Sequence, residues 1–315
     1  MATAIYPPVS PAELLQQEGI SASNELNWLL TTLPETLASL RHGLHSSATL
    51  LSPHTTSTLA LTSPRSEALK GFVTRCGPTI TKGDITAKLL GLPPKHKLTL
   101  CRDLRLDQLT DVKNHVRECL ALLGPEGAEA AWLGQGRADA ARALEKLRVL
   151  RAGIAAARAA LKGAGPAAMF PCRAVDPRMF DPPLPPLLAF DLYITEAALT
   201  AELRTLEPVS VGGDGGGGGG GGGGAVGGGG FGFGQRFAAA VGLRGGVGAH
   251  GEGEGAEVFV YRGASVRVRE RVKVESQDPN LMAVWAKLGG VEHALVGAIK
   301  SLEMVAGAAG VVVVV

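Results

Sequence analysis

Leu26, Leu30, Leu33, Leu37, Leu40 and Leu44 recur at alternating spacings of four and three, which sets them on one stripe of a helix starting after a cap at Asn24. Pro34 falls inside that run, and its missing N–H predicts a kink or a restart capped by Thr32. Near the other end Leu281, Val284, Leu288, Val291, Leu295, Ala298, Leu302 and Val305 repeat the spacing behind Pro279, a residue suited to a first turn. That helix is about 37 Å long. Gly289 and Gly290 weaken its middle by roughly 1 kcal/mol each, so it depends on packing, and the N-terminal stripe is the expected partner.

Three more helices are predicted: Leu106 to Leu123, with Leu109, Val112, Val116 and Leu120 on one face; Gln135 to Lys162, with Leu147, Leu150, Ile154, Ala157 and Leu161; and Leu187 to Leu206, with Leu188, Leu192, Leu199 and Leu203. Strand signal is confined to two places. Between residues 48 and 101, Leu59 and Leu61 alternate with threonines and alanine, Leu98 and Leu100 alternate with Lys97 and Thr99, and Gly71, Gly77, Pro78, Gly83 and Gly91 punctuate a short meander. Further on, Val266, Val268, Val272 and Val274 take one parity and Arg267, Arg269, Arg271 and Lys273 the other, a half-buried strand or hairpin.

Together these predict an α+β chain: an elongated antiparallel helical bundle formed by both chain ends, plus a small antiparallel β domain. The expected divisions are a disordered N-terminus over 1–23, a first bundle helix over 24–45, the first part of the β domain over 46–103 and bundle helices over 104–208. A disordered glycine-rich insertion at 209–255 follows, then the last strands at 256–276, the last bundle helix at 277–306 and a low-complexity tail at 307–315. The insertion rests on composition: Gly215 to Gly224 is ten glycines in a row, and such a stretch cannot bury enough to offset its ordering entropy. Met1 to Pro11 has no basic segment followed by an apolar one, so no secretory signal is expected; Val305 to Val315 is apolar but roughly half the ~20 residues of a membrane helix.

Composition narrows the chemistry. Of 315 residues 45% are hydrophobic, enough for a core, and a net charge of +2 gives no general attraction to nucleic acid or anionic membrane. Cys76, Cys101, Cys119 and Cys172 form no C-x-x-C pair, so reduced thiols are expected rather than disulfides or zinc. Gly230, Gly232 and Gly234 lack the strand and helix of a nucleotide-binding turn. His42 and His45 read as a solvated helix face. Asp111 and His115 stand at i and i+4 and could orient each other, yet no nucleophile or oxyanion donor accompanies them, so a surface hydrogen bond is expected. Arg137, Arg142, Lys146, Arg148, Arg151, Arg158 and Lys162 oppose only Asp139 and Glu145, making one helix basic: a solvated bundle face first, then a contact for an acidic protein, with nucleic acid or lipid last because aromatic stacking residues are missing. No catalytic, cofactor-binding or metal-ligating residue is assigned.

Short runs point further. Glu25-Leu26-Asn27-Trp28-Leu29-Leu30, Leu69-Lys70-Gly71, Asp111-Val112-Lys113-Asn114-His115-Val116, the stretch Pro186 to Pro208 with Leu192-Tyr193-Ile194 and Glu207-Pro208, and Val272-Lys273-Val274-Glu275 ahead of Leu281 occur in an order that resembles the Rogdi family. That family provides the leucine-zipper-containing second subunit of the RAVE complex, and the resemblance covers about residues 25–208 and 257–305. It implies a helical bundle holding both chain ends with a β domain at the far side. It also implies a non-catalytic adaptor, without cofactor, that promotes assembly of the V-ATPase peripheral sector onto its membrane sector. The implied partners are a large β-propeller subunit of rabconnectin type and peripheral V-ATPase subunits. No nucleic acid is involved, and the cytoplasmic protein would reach vacuolar or endosomal membranes through its partners only. The rival expectation is a coiled-coil, SNARE-like vesicle tether.

Overall fold

The computed structural model describes residues 10–63, 68–93, 96–127, 137–209 and 257–310. Helix α1 runs from Pro11 to Leu50, so it starts well ahead of Asn24. A capping box sets that start: Glu13 N–H donates to Ser10 Oγ at 3.2 Å, Ser10 N–H donates to the Glu13 carboxylate at 3.0 Å, and Pro11 fills the first helical position. The helix continues through Pro34, and no restart forms at Thr32. Thr32 Oγ1 instead donates back to the Trp28 and Leu29 carbonyls at 3.2 and 3.1 Å. These bonds lie in the turn that Pro34 deprives of a backbone donor.

After α1 come β1 (Thr56–Thr62), β2 (Leu69–Cys76), β3 (Thr79–Ala87), β4 (His96–Leu100) and the short β5 (Leu104–Arg105), then α2 (Asp107–Leu123) and α3 (Arg137–Lys162). Short β6 (Phe180–Asp181), β7 (Leu188–Thr195), β8 (Ala198–Pro208), β9 (Val258–Tyr261), β10 (Ala264–Gln277) and α4 (Pro279–Ala308) complete the order. The first sheet is antiparallel in the order β1-β2-β3-β4-β6, with β5 also paired to β3. Its inward parity is apolar: Leu59, Leu61, Leu69, Val73, Ile80, Ile85 and Leu98 are buried, while Thr56, Thr58, Lys70 and Phe72 face out.

Two bodies divide the chain: residues up to Thr205 together with those from Glu270 onward, and Leu206–Arg269. In the first, β7 pairs with β8 from Leu188↔Thr205 to Thr195↔Ala198, and β10 follows on the other side of β8. In the second, β9 pairs with β10 from Ala264↔Tyr261 to Arg267↔Val258. The first body has one apolar core, shared by the α1 stripe, the first sheet, α2, α3, the β7–β8 hairpin and α4. Within it α1 packs on α4 and α2, and α3 packs on both α2 and α4.

The expected architecture is corrected on this evidence. Instead of one elongated bundle made by both chain ends beside a single small β domain, the described residues build four α-helices and two antiparallel sheets. Residues 187–206, read as a helix, are the β7–β8 hairpin. Leu188 and Leu192 lie on one strand and Leu199 and Leu203 on the next, so the spacing that imitated a helix comes from two strands whose parity changes across the turn. Both faces of these strands are largely buried, which removes the alternation that marks a strand. The turn itself has no glycine: Glu196 and Ala197 take φ of 49° and 58°. Its backbone is held from outside, since Glu196 N–H donates to the Lys162 carbonyl and Ala197 N–H to the Leu161 carbonyl, each at 3.0 Å, satisfying the end of α3. The glycine-rich insertion, the valine tail and Gly230, Gly232 and Gly234 lie outside the described residues.

The α1–α4 seam generates a pair of opposed outcomes. A Cβ on Gly43 would stand 2.5 Å from Val291 Cγ2, whereas one on Gly297 meets nothing within 4 Å. Gly43→Ala is expected to destabilise by about 1–3 kcal/mol through overpacking, and Gly297→Ala to stabilise by up to about 1 kcal/mol through helix propensity. Urea unfolding of both variants checks this; shifts of the same sign would refute the seam geometry.

Candidate functional site

Sequence reasoning brought forward surface groups, and the structure gathers few of them. His115 Nδ1 lies 3.5 Å from Glu118 Oε2, so the histidine turns to Glu118 and no Asp111–His115 dyad forms. Asn114 accepts from Arg117 at 3.2 Å. His42 and His45 border a shallow surface hollow with Thr49 and Lys287. The basic face of α3 is answered by α4: Arg148 pairs with Glu303 at 2.8 Å, and Arg158 pairs with Glu292 while lying 4.7 Å over the Trp285 ring. The four cysteines are free; burial pushes the Cys119 thiol up to about 11, consistent with a packing role. Among the described residues there is no group of three metal-capable side chains, and no helix is long and apolar enough to cross a membrane.

The concentrated polar chemistry is instead buried. Arg75, with no exposed surface, donates from Nε to Asp278 Oδ2 at 2.5 Å, from Nη1 to the Gly77 carbonyl at 2.6 Å and from Nη2 to Ser57 Oγ at 3.3 Å. Asp278, equally buried, is also the N-cap of α4, accepting from Asn280 N–H at 2.9 Å and Leu281 N–H at 3.3 Å. Ser57 Oγ donates to Asp278 at 3.0 Å and accepts from Asn280 Nδ2 at 2.8 Å. One carboxylate therefore ties β1, β2 and the start of α4 together.

A second cluster occupies the inner polar face of β7 and β8. Arg204 pairs with Asp191 and lies 2.7 Å from Glu202, its guanidinium 4.9 Å over the Phe170 ring. Arg271 pairs with Glu202, and Tyr193 OH donates to it at 2.8 Å. Burial pushes the Tyr193 hydroxyl pKa upward, with the Glu202 carboxylate adding to the effect. Burial likewise lifts Asp191 from 3.8 to about 6, outweighing the attraction of Arg204.

Next to this cluster is a cleft of about 300 Å³ bordered by Arg105, Asp107, Arg173, Asp176, Asp191 and Tyr193. Asp107 is already matched, at 2.5 Å to Arg173 and 3.7 Å to Arg105. Gln108 closes its floor: Nε2 donates to the Ala160 and Ile194 carbonyls at 3.1 and 3.0 Å, and Oε1 accepts from Ile194 N–H at 2.7 Å. The arrangement joins α2, α3 and β7, and it presents no nucleophile beside a base.

Comparison with known proteins identifies the chain. The family described as "Rogdi leucine zipper containing protein" matches residues 25–303. This chain belongs to the Rogdi family. A curated relative, "Regulator of V-ATPase in vacuolar membrane protein 2" of Schizosaccharomyces pombe, is 32% identical over 100 residues, 31% of this chain. The matched stretch spans about a third (35%) of that relative's length. In this Rogdi-family chain Trp28, Asn114 and His115, singled out by motif, are surface or half-buried residues. Arg75, Asp278, Asp191 and Glu202 went unnoticed, although a charge on the apolar parity of a strand was available as a signal for Arg75.

Two outcomes follow from the clusters. Arg75→Ala leaves Asp278 buried without its cation and is expected to cost about 3–5 kcal/mol, and adding Asp278→Asn should cost less than the sum of the single changes, as a denaturation double-mutant cycle would read. Asp191 binds its proton more tightly folded than unfolded, so its contribution to stability is present below about pH 4 and is lost as pH rises through about 6. Asp191→Asn should flatten the fall in unfolding midpoint between pH 4.5 and 7; an unchanged slope would show that another group titrates.

Proposed function

We propose that this chain is a non-catalytic adaptor of a RAVE-type complex, promoting assembly of the V-ATPase peripheral sector onto its membrane sector and hence acidification of vacuoles or endosomes. The observation that carries the reading is the 32% identity to a protein named as a regulator of V-ATPase in the vacuolar membrane, lying with a family match over residues 25–303. The geometry supports it: the buried charges are matched to one another and join secondary-structure elements, an arrangement suited to a rigid scaffold. The proposed partners are a large β-propeller subunit of rabconnectin type and peripheral V-ATPase subunits, with no nucleic acid involved. The protein works from the cytoplasm and reaches vacuolar or endosomal membranes through those partners.

Cells lacking the protein are expected to keep both pump sectors at normal abundance while less peripheral sector sits on the membranes and luminal pH rises. Fractionation and a luminal pH probe, applied before and after glucose withdrawal and readdition, read both quantities. Normal acidification with an unchanged membrane-bound fraction would overturn the adaptor reading in favour of a coiled-coil, SNARE-like tether.

A further inference from the structure

Helix α1 outruns its partner. Gly43 meets Val291, and counting nineteen residues along each antiparallel helix brings Gly310, the last described residue, level with Asn24. Burial marks the same point: Ala22 is the first buried residue of α1, and residues 11–21 are all exposed. The overhang is roughly 16 Å of helix at 1.5 Å per residue.

Its sequence is not that of a solvated end. Leu15 stands seven residues before Ala22 and eleven before Leu26, so the stripe that packs on α4 continues into the overhang. Leu15 is 69% exposed there, whereas the exposed Leu14, Ile20 and Trp28 lie on other faces of α1. Glu18 and Glu25, a heptad apart, line one flank of the stripe, the place where charges choose a helix partner in a coiled coil. From Pro11 to Leu40 the chain has four glutamates and no Lys, Arg or His, in a protein whose net charge is +2.

We infer that the α1 overhang is a docking surface for a basic amphipathic helix of a partner protein, one that takes up the α1 seam where α4 stops. An apolar stripe satisfies Leu15, and lysines or arginines along its edge face Glu18 and Glu25. A second copy of this chain would bring two acidic arms together, and the valines at 311–315 carry no charge to match the glutamates; the charge pattern favours the basic helix. The inference does not depend on the V-ATPase reading, and its test contains no pump subunit.

The experiment titrates the full chain into two labelled eighteen-residue helical peptides at low salt, read by fluorescence anisotropy. Both peptides have the same leucine stripe, one flanked by lysines and the other by glutamates. The lysine peptide is expected to bind at least about tenfold more tightly, an advantage that shrinks as salt screens the flanking charges. Leu15→Ser should weaken it about fivefold or more with an unchanged melting temperature, since that side chain is exposed. The pair Glu18→Lys and Glu25→Lys should invert the preference between the peptides. Binding that ignores both changes would overturn the inference. So would binding seen only after removal of residues 311–315, which assigns the face to the tail. A sedimenting dimer abolished by Leu15→Ser would also overturn it, by assigning the face to a second copy.

Discussion

A guanidinium with no exposure to water is tolerable only when its donors are met, and Arg75 meets that condition through Asp278. Because the same carboxylate caps α4, satisfying the arginine also fixes where α4 begins against the first sheet. The start of α4 then determines which of its residues face the neighbours: Val291 comes to Gly43 on α1, and Glu292 and Glu303 come to Arg158 and Arg148 on α3. The three-four stripe supplies adhesion between helices but is periodic, so it tolerates a slip of one repeat. The single cap and the two specific ion pairs do not.

The same division of labour holds elsewhere in the first body. Arg41, buried on α1, donates to the Leu123 carbonyl at 2.8 Å and so closes the end of α2, placing a cation at a helix C-terminus. Gln108 and the β7–β8 turn do the corresponding work at the end of α3, meeting the Ala160, Leu161 and Lys162 carbonyls. The C-terminal ends of α2 and α3 are thus met by side chains or backbone from other elements, whereas α1 and α4 start on local caps at Ser10 and Asp278. A charged face that looks like a recognition surface in isolation, as on α3, becomes partly an internal contact once its neighbour arrives.

What was legible in the sequence was what repeats. α2, α3 and α4 emerged within a few residues of their ends because one apolar face recurs over many turns, and the meander of β1 to β4 emerged because buried and exposed positions alternate. The overhang of α1 precedes its first buried leucine, Leu26, so the apolar repeat does not mark it. Ser10 and Glu13, a capping pair, were the available signal. The β7–β8 hairpin was misread because strands buried on both faces have no period, and because Glu196 and Ala197 are not residues that announce a turn. The ion-pair clusters were illegible for other reasons: Asp278 stands 203 positions from Arg75, and Asp191, Glu202 and Arg204 meet only once residues 187–206 are read as a hairpin. The family match, by contrast, is spread over residues 25–303 as an order of short motifs, which survives the errors made within single elements.

Arg75 and Asp278 are separated by 203 positions along the chain. At synthesis rates of ~5–20 residues per second, roughly 10–40 s pass between the two residues emerging. Through that interval the first sheet carries a cation on its inward face with only Ser57 and the Gly77 carbonyl to meet it, so closing the core would strand the charge. The helices α2 and α3 can form early, being local, but the core that joins them to β2 and α1 waits for the last helix. Contacts of such long range are slow to form because the loop must close before any of them is gained. The core of the first body thus closes around Arg75 only once the start of α4 has been made, 203 positions further along the chain.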